Sequence, residues 1–219
     1  ISRYFLETLR TPLLISSSLN SSLALLIILS SISVTFLTKV TLKPLNLKLP
    51  IVLLNGIQIY DPVNKKYMQS NYLLANQAYK AIEIYEKNNL YPFIFAIDKN
   101  KHEKIYYKKI NNNAQQKFIN VSIDNGDKRF CYVSVYPDLT ALDVMHINII
   151  DKKDNLDTLY AKLKLISDIS IHFYSDVYYD DYYFLDTVNS KANKKNGLKF
   201  IKKLLNPEKV VCFGDNTND

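Results

Sequence analysis

The last twelve residues, Glu208–Asp219, read EKVVCFGDNTND. Four apolar residues, Val210, Val211, Cys212 and Phe213, run into Gly214-Asp215-Asn216-Thr217-Asn218-Asp219. A short unbroken apolar run predicts a strand buried on both faces, as in a parallel sheet. In open α/β sheets, ligands bind at the carboxyl ends of the strands. Asp215 stands there, just past Phe213. A carboxylate at that place suits Mg2+, which takes hard oxygen ligands and keeps water or phosphate in its shell. Gly214 permits a tight turn, and Asn218 and Asp219 can return to the same place across it. Taken alone, the same residues equally describe an Asp/Asn-rich turn.

Upstream, NKKNGLKFIKKLL places Leu198, Ile201, Leu204 and Leu205 on one helical face and lysines on the other. Asn206-Pro207 ends that helix. Lys194 or Lys195 opens it, where a cation could neutralise a phosphoryl group. By itself, either is also an ordinary exposed lysine. Helix followed by buried strand is half of a βαβ unit. Near the other end, LPIVLLNGIQIYD predicts a strand, a turn at Asn55-Gly56 and a second strand.

Between these pieces the pattern is β-rich with interspersed helices. Leu74, Ala78, Ala81, Ile82 and Tyr85 fall at helical spacing. YPFIFAID, EKIYY, RFCYVSVY and VMHINIID predict strands, and KINNNAQQKFIN a polar connection with room for a short helix. Asp154 or Asn155 is placed to cap a helix bearing Leu156, Leu159, Leu163 and Ile166. ISIHFYS and VYYDDYYFLD then suggest an antiparallel pair.

The two ends and NG turn resemble the haloacid dehalogenase superfamily, in its Cof-like (subfamily IIB) phosphatase branch. The residues that carry the resemblance are NSKANKKNGLKFIKKLL followed by EKVVCFGDNTND, with LPIVLLNGIQIYD before the insertion. The resemblance covers about Pro50 to Asp219. It implies an α/β fold, a Rossmann-like core with a large inserted α+β cap, divided as 1–56 (core), 57–187 (cap) and 188–219 (core). It implies a phosphatase acting on small phosphorylated metabolites through an aspartyl-phosphate and Mg2+. Asp215 and Asp219 would serve the metal, with Asn218 helping to position it. Lys194 would face the phosphate, with Lys195 as the fallback. Asn55 would lie near the substrate entrance, and Ser30 or Ser31 would supply the hydroxyl of the second motif.

Two features depart from that pattern. The family's first motif, Asp-x-Asp-Gly-Thr, is missing, and no Asp precedes Asp61. The family also continues past Asn-Asp, so the resemblance implies a fragment cut at both ends and inactive. Residues 11–44 fit the family poorly. Thr11 to Thr38 is an uncharged run long enough to be read as a membrane anchor, with Leu23–Leu37 as the span. A frameshifted core segment and a helix and strand buried in an α/β core are the other readings. A non-catalytic remnant acting as a binding module is the alternative function.

Composition adds limits. Of 219 residues, 47% are hydrophobic and 22% charged, enough for one large or two small cored domains. The net charge of +7 comes from scattered lysines interleaved with Asp and Glu. Arginine occurs only at Arg3, Arg10 and Arg129, so nucleic acid is not the expected partner. Cys131 and Cys212 are distant and read as buried free thiols, which suits a cytoplasmic protein. His102, His146 and His172 form no ligand motif.

Overall fold

In the computed structural model, the uncharged N-terminal segment forms strands. The structure describes residues 13–19, 22–28, 47–175, 181–207 and 211–212, with backbone alone for 13–19, 22–28 and 211–212. Strands β1 (Leu13–Leu19) and β2 (Ser22–Ile28) pair antiparallel, from Leu13↔Ile28 to Leu19↔Ser22. Leu23–Ile28 of the proposed span is therefore sheet, and residues 29–37 lie outside the described residues. No helix among the described residues is long and apolar enough to cross a membrane.

Two compact units divide the chain, residues 1–71 with 191–219, and residues 72–190. In the first, β2 pairs parallel with β3 (Ile51–Leu53) through Ile28↔Val52. Strand β3 pairs antiparallel with β4 (Gln58–Asp61), which pairs with β5 (Lys66–Ser70). The sheet order is β12-β1-β2-β3-β4-β5, with β12 at Val211–Cys212. The apolar run there predicts a parallel strand. Instead β12 lies antiparallel to β1, since an apolar run reports burial and not direction.

Strand β3 is buried throughout because apolar groups cover both of its faces. Alternation sends Val52 one way, to Ile59 and Ile201, and Ile51 and Leu53 the other, to Leu47 and Tyr60. Residues 58–70 complete this sheet, and the first compact unit runs on to Asn71.

The second unit holds a six-stranded sheet of order β10-β11-β9-β6-β7-β8. Its strands are β6 (Phe93–Ile97), β7 (Glu103–Tyr107), β8 (Phe130–Tyr132), β9 (Asp143–Lys152), β10 (Ile169–Ser175) and β11 (Tyr182–Asn189). All pairs are antiparallel except β7 with β8. The expected antiparallel partnership near the end of the unit is present, Ile169↔Asn189 through Ser175↔Tyr183.

Its helices are α1 (Ala75–Lys87), α2 (Asn113–Asp124) and α3 (Lys153–Leu163). Ala78, Ala81, Ile82 and Tyr85 of α1 join Leu156, Leu159 and Leu163 of α3 over Ile94, Ile147, Ile149 and Leu185. On the other face, Ala114 and Ile119 of α2 cover Phe93, Ile105 and Ile150. Each such fully buried aliphatic side chain is worth roughly 1.5–3 kcal/mol. The polar connection is thus a full helix, capped by Asn112, which accepts from the Gln115 amide. Its apolar face is short enough to escape notice beside so many Asn and Gln. Helix α3 starts earlier than the sequence suggests. Lys152 stands at the N-cap without a side-chain cap, and Asp154 lies in the first turn. Asn155 donates instead to Asp151 Oδ1 at 2.9 Å.

Buried polar groups in this unit are paired with few exceptions. Tyr85 is fully buried, and its hydroxyl meets Thr187 Oγ1 at 3.1 Å. Asn148 donates to Asp186 Oδ1 at 2.7 Å, and Tyr174 donates to Asp186 Oδ2 at 2.8 Å. His146 stacks on Phe95, with centroids 4.1 Å apart, and its buried Nδ1 has no partner among the described residues. Desolvation holds this imidazole below its ordinary pKa; Arg129 and His172 add to the effect, and Asp186 opposes it.

A depressed imidazole pKa means that the unfolded chain takes up a proton before the folded one does. Stability should therefore be level above about pH 6.5 and fall as the pH drops below that value. Thermal unfolding of His146→Phe should lose most of that slope, and an unchanged slope would rule the residue out.

Helix α4 (Lys194–Leu205) packs onto β3 in the first unit. Its Gly197 sits against Val52, where an added Cβ would lie 2.7 Å from Cγ1 and 2.9 Å from Cγ2. Alanine there gains helix propensity of roughly 1 kcal/mol but overpacks a stiff β-branched neighbour, at roughly 1–3 kcal/mol. Gly197→Ala should therefore lower stability in urea titrations, and Val52→Ala in the same chain should restore part of the loss. A more stable Gly197→Ala would contradict the packing.

Candidate functional site

The NG turn and the start of α4 come together in the first unit. Leu54, Asn55 and Gly56 follow β3 with φ of 49°, 53° and 97°. Three successive residues in the left-handed region are costly, least so for Gly and Asn. The turn is held by its own surroundings. Ile57 donates its amide to the Leu54 carbonyl at 3.1 Å. Asn71 Nδ2 donates to the Gly56 carbonyl at 2.8 Å, and the Asn71 amide to Ile57 O at 2.7 Å.

Gly56 lies directly on the backbone of Asn193. A Cβ at Gly56 would stand 2.4 Å from Asn193 O, 2.6 Å from its C and 2.8 Å from its N. Asn193 is extended, with φ −153°, and is the N-cap of α4. Its side chain accepts from the Asn196 amide at 2.8 Å, and Asn196 Nδ2 donates to Lys191 O at 3.1 Å. The next residue, Lys194, is the first of the helix.

The two lysines at this helix start differ sharply. Lys194 is 6% exposed, whereas Lys195 is exposed to solvent. A lysine is rarely buried, and a helix N-terminus is the less favourable end for a cation. Beside it in the fold, Asn55 Oδ1 is buried and has no hydrogen-bond partner among the described residues. The turn thus supplies an acceptor aimed into protein, and the helix start supplies a sheltered cation.

Of the residues singled out from the sequence, Asn55 and Lys194 are brought into one region through the Gly56–Asn193 contact. Lys195 is not drawn inward. Ser30, Ser31, Asp215, Asn218 and Asp219 lie outside the described residues. Among the described residues, no three His, Cys, Asp or Glu side chains gather as a metal centre. Asp61 has a turn role: its carboxylate accepts from the Val63 and Asn64 amides and from Asn64 Nδ2 at 2.7 Å. These bonds, that of the Asn64 side chain foremost, hold its pKa below the ordinary carboxylate value.

Asn193 and Asn71 are the contributors that sequence reasoning missed. Asn193 carries a usable signal, since an Asn directly before a helical run is a preferred N-cap. Asn71 carries none, because its partner is a backbone carbonyl fixed by the tertiary fold.

Alanine at Gly56 would need φ of 97° and would strike main-chain atoms that cannot rotate away. Gly56→Ala should lose about 2–3 kcal/mol in urea unfolding, by strain and overpacking together. A loss below about 0.5 kcal/mol, within the range of an ordinary surface change, would show that the contact is not held.

Comparison with known proteins bears on these elements. The family model of haloacid dehalogenase-like hydrolases matches residues 26–219. Among solved structures, a haloacid dehalogenase-like hydrolase from B. subtilis is 17% identical with a TM-score of 0.61. The match covers 83% of this chain and 67% of that one. A protein from Bacteroides thetaiotaomicron, described among phosphatases of the haloalkanoate (HAD) enzyme superfamily, is 12% identical with a TM-score of 0.62. The match covers 86% of this chain and 62% of that one. A second haloacid dehalogenase-like hydrolase from Bacteroides thetaiotaomicron is 17% identical, with a TM-score of 0.59 and coverages of 83% and 65%. The chain thus spans about two thirds or less of the length of these structures. No curated protein matches the sequence at a significant level. Because the model of haloacid dehalogenase-like hydrolases matches residues 26–219, most of the chain, this protein belongs to the haloacid dehalogenase-like hydrolase family.

Proposed function

We propose that the chain carries the phosphate-binding part of a Cof-like (subfamily IIB) phosphatase that acts on small phosphorylated metabolites. The observation that supports this most directly is the burial of Lys194 at the start of α4, beside the turn that contains Asn55. A cation fixed by packing and sheltered from water offsets phosphoryl charge more strongly than a mobile surface lysine, because it need not reorganise. Lys194 Nζ would face the phosphoryl oxygens, and Asn55 Oδ1 would accept a hydrogen bond from a hydroxyl of the substrate. Lys195, in solvent, is the weaker choice for the cation.

The rest of the site is proposed from sequence. Asp215 and Asp219 would hold Mg2+, with Asn218 positioning the metal loop. The ion, when bound, supplies positive charge for the phosphoryl group. Ser30 or Ser31 would offer a hydroxyl to the same oxygens. The unit formed by residues 72–190 would act as the cap that selects the leaving group.

Covalent phosphatase chemistry of this class needs a carboxylate to attack phosphorus and a second to protonate the leaving oxygen. Residues 1–60 contain no Asp. That favours a second reading for these 219 residues, in which phosphate is bound without turnover.

The test uses the 219-residue chain. Calorimetric titration with inorganic phosphate in the presence of Mg2+ should show binding. Lys194→Met and Asp215→Ala should each weaken it at least tenfold, the effect of removing roughly 1.4 kcal/mol or more of charge stabilisation. Lys195→Met should leave it within about twofold, as expected for an exposed charge. p-Nitrophenyl phosphate should not be turned over. Phosphate binding indifferent to Lys194→Met would overturn the assignment, and Mg2+-dependent turnover lost in Asp215→Ala would overturn the view that these residues bind without catalysis.

A further inference from the structure

The second unit contains a cleft that the phosphatase reading does not use. It is lined by Tyr91, Tyr107, Lys108, Lys109, Tyr132 and Ser134, with Ile110 at its wall, and has a volume of about 520 Å³. That volume falls within the range of small-molecule sites, roughly 300–1,000 Å³. Every lining residue belongs to residues 72–190, so the cleft is complete within one unit.

Its charge and its rings point to one kind of ligand. Lys108 Nζ lies 5.4 Å from the Tyr91 ring centre and 5.3 Å from that of Tyr136. Lys109 Nζ lies 5.4 Å from the same Tyr91 ring. Two ammonium groups thus lie close to one aromatic ring. Among the described residues one carboxylate is paired with them, Glu86, whose Oε1 is 2.8 Å from Lys108 Nζ. The cleft therefore keeps an excess of positive charge, which an anion would offset. Tyr136 is fixed by its hydroxyl, which donates to the Pro92 carbonyl, and Tyr91 by its amide, which donates to Asn111 Oδ1 at 3.0 Å. The Tyr136 ring and the Tyr91 main chain are thus held in place before a ligand arrives.

The opposite wall is aromatic and open. Tyr107 and Tyr132 meet at 5.7 Å with planes 68° apart, and Tyr132 is 69% exposed. An edge-strand tyrosine with most of its ring in water contributes little to folding. It offers a face on which a flat ring can stack.

We propose that this cleft binds a flat aromatic ring bearing an anionic group, the chemistry of a nucleoside monophosphate. The ring stacks on Tyr132 beside Tyr107, and the anion meets Lys109 and Lys108. This site lies wholly within residues 72–190 and does not depend on the phosphatase reading.

The probe is AMP, titrated by calorimetry into the 219-residue chain in EDTA, with adenosine and inorganic phosphate as separate titrants. EDTA removes any metal-dependent contribution from the site proposed above. AMP should bind at least about tenfold more tightly than adenosine or phosphate alone, since both halves of the ligand are engaged. Tyr132→Ala should weaken AMP by about fivefold or more and Tyr132→Phe should not, because stacking needs only the ring. Lys109→Gln should weaken it severalfold and Lys109→Arg should restore it. Tyr132 and Lys109 are both exposed, so circular dichroism should report an unchanged fold for all four variants. Phosphate equal to AMP, AMP binding unaffected by Tyr132→Ala and Lys109→Gln, or no AMP binding at millimolar concentration would each overturn the proposal.

Discussion

The main-chain contact between Gly56 and Asn193 is the constraint on which the first unit turns. It joins two segments separated by the whole of residues 72–190. Because it is made by backbone on both sides, neither partner can adjust by changing a rotamer. The left-handed run through Leu54, Asn55 and Gly56 is the conformational cost of bringing the chain there. Burial of Leu54, the bonds from Asn71 and the seating of Gly197 on Val52 offset that cost. The result is a helix whose start, and so whose first lysine, is fixed relative to the end of β3.

That fixed start separates two lysines that are neighbours in sequence. A helix turns by about 100° per residue, so adjacent positions point to different sides. Once Gly197 and Ile201 face β3, Lys194 is drawn to the buried side and Lys195 is left in water. The same geometry leaves Asn55 Oδ1 buried without a partner among the described residues. Unpaired acceptors of this kind are rare in folded proteins and are found where a ligand, ion or water belongs.

The second unit follows a different logic. Its long central strand, β9, alternates between two apolar layers, one under α1 and α3 and one under α2. Of the polar groups in that sheet, Asn148 is matched across strands with Asp186, and Thr187 is matched with Tyr85 of α1, whereas His146 Nδ1 has no partner among the described residues. The tyrosines that cluster around Lys108 and Lys109 are of two sorts, Tyr91 and Tyr136 anchored by hydrogen bonds and Tyr132 left open. An ordinary packing role accounts for the first pair and leaves the last unexplained by folding alone.

The sequence by itself determined the elements whose signal is local. Periodic apolar residues marked α1, α3 and α4, the Asn-Gly pair marked the turn after β3, and motif order marked the family. It understated α2, whose Asn- and Gln-rich surface hides a short apolar face, and misplaced the start of α3, where Lys152 stands at the N-cap and Asn155 donates its side chain to Asp151. It placed the final apolar strand in a parallel pairing, because an apolar run reports burial and not direction. The choice between Lys194 and Lys195, the role of Gly56 and the meeting of lysines and tyrosines in a cleft were decided only by tertiary structure. Each depends on which surface a residue is pressed against, and that is set by contacts between segments far apart in the chain.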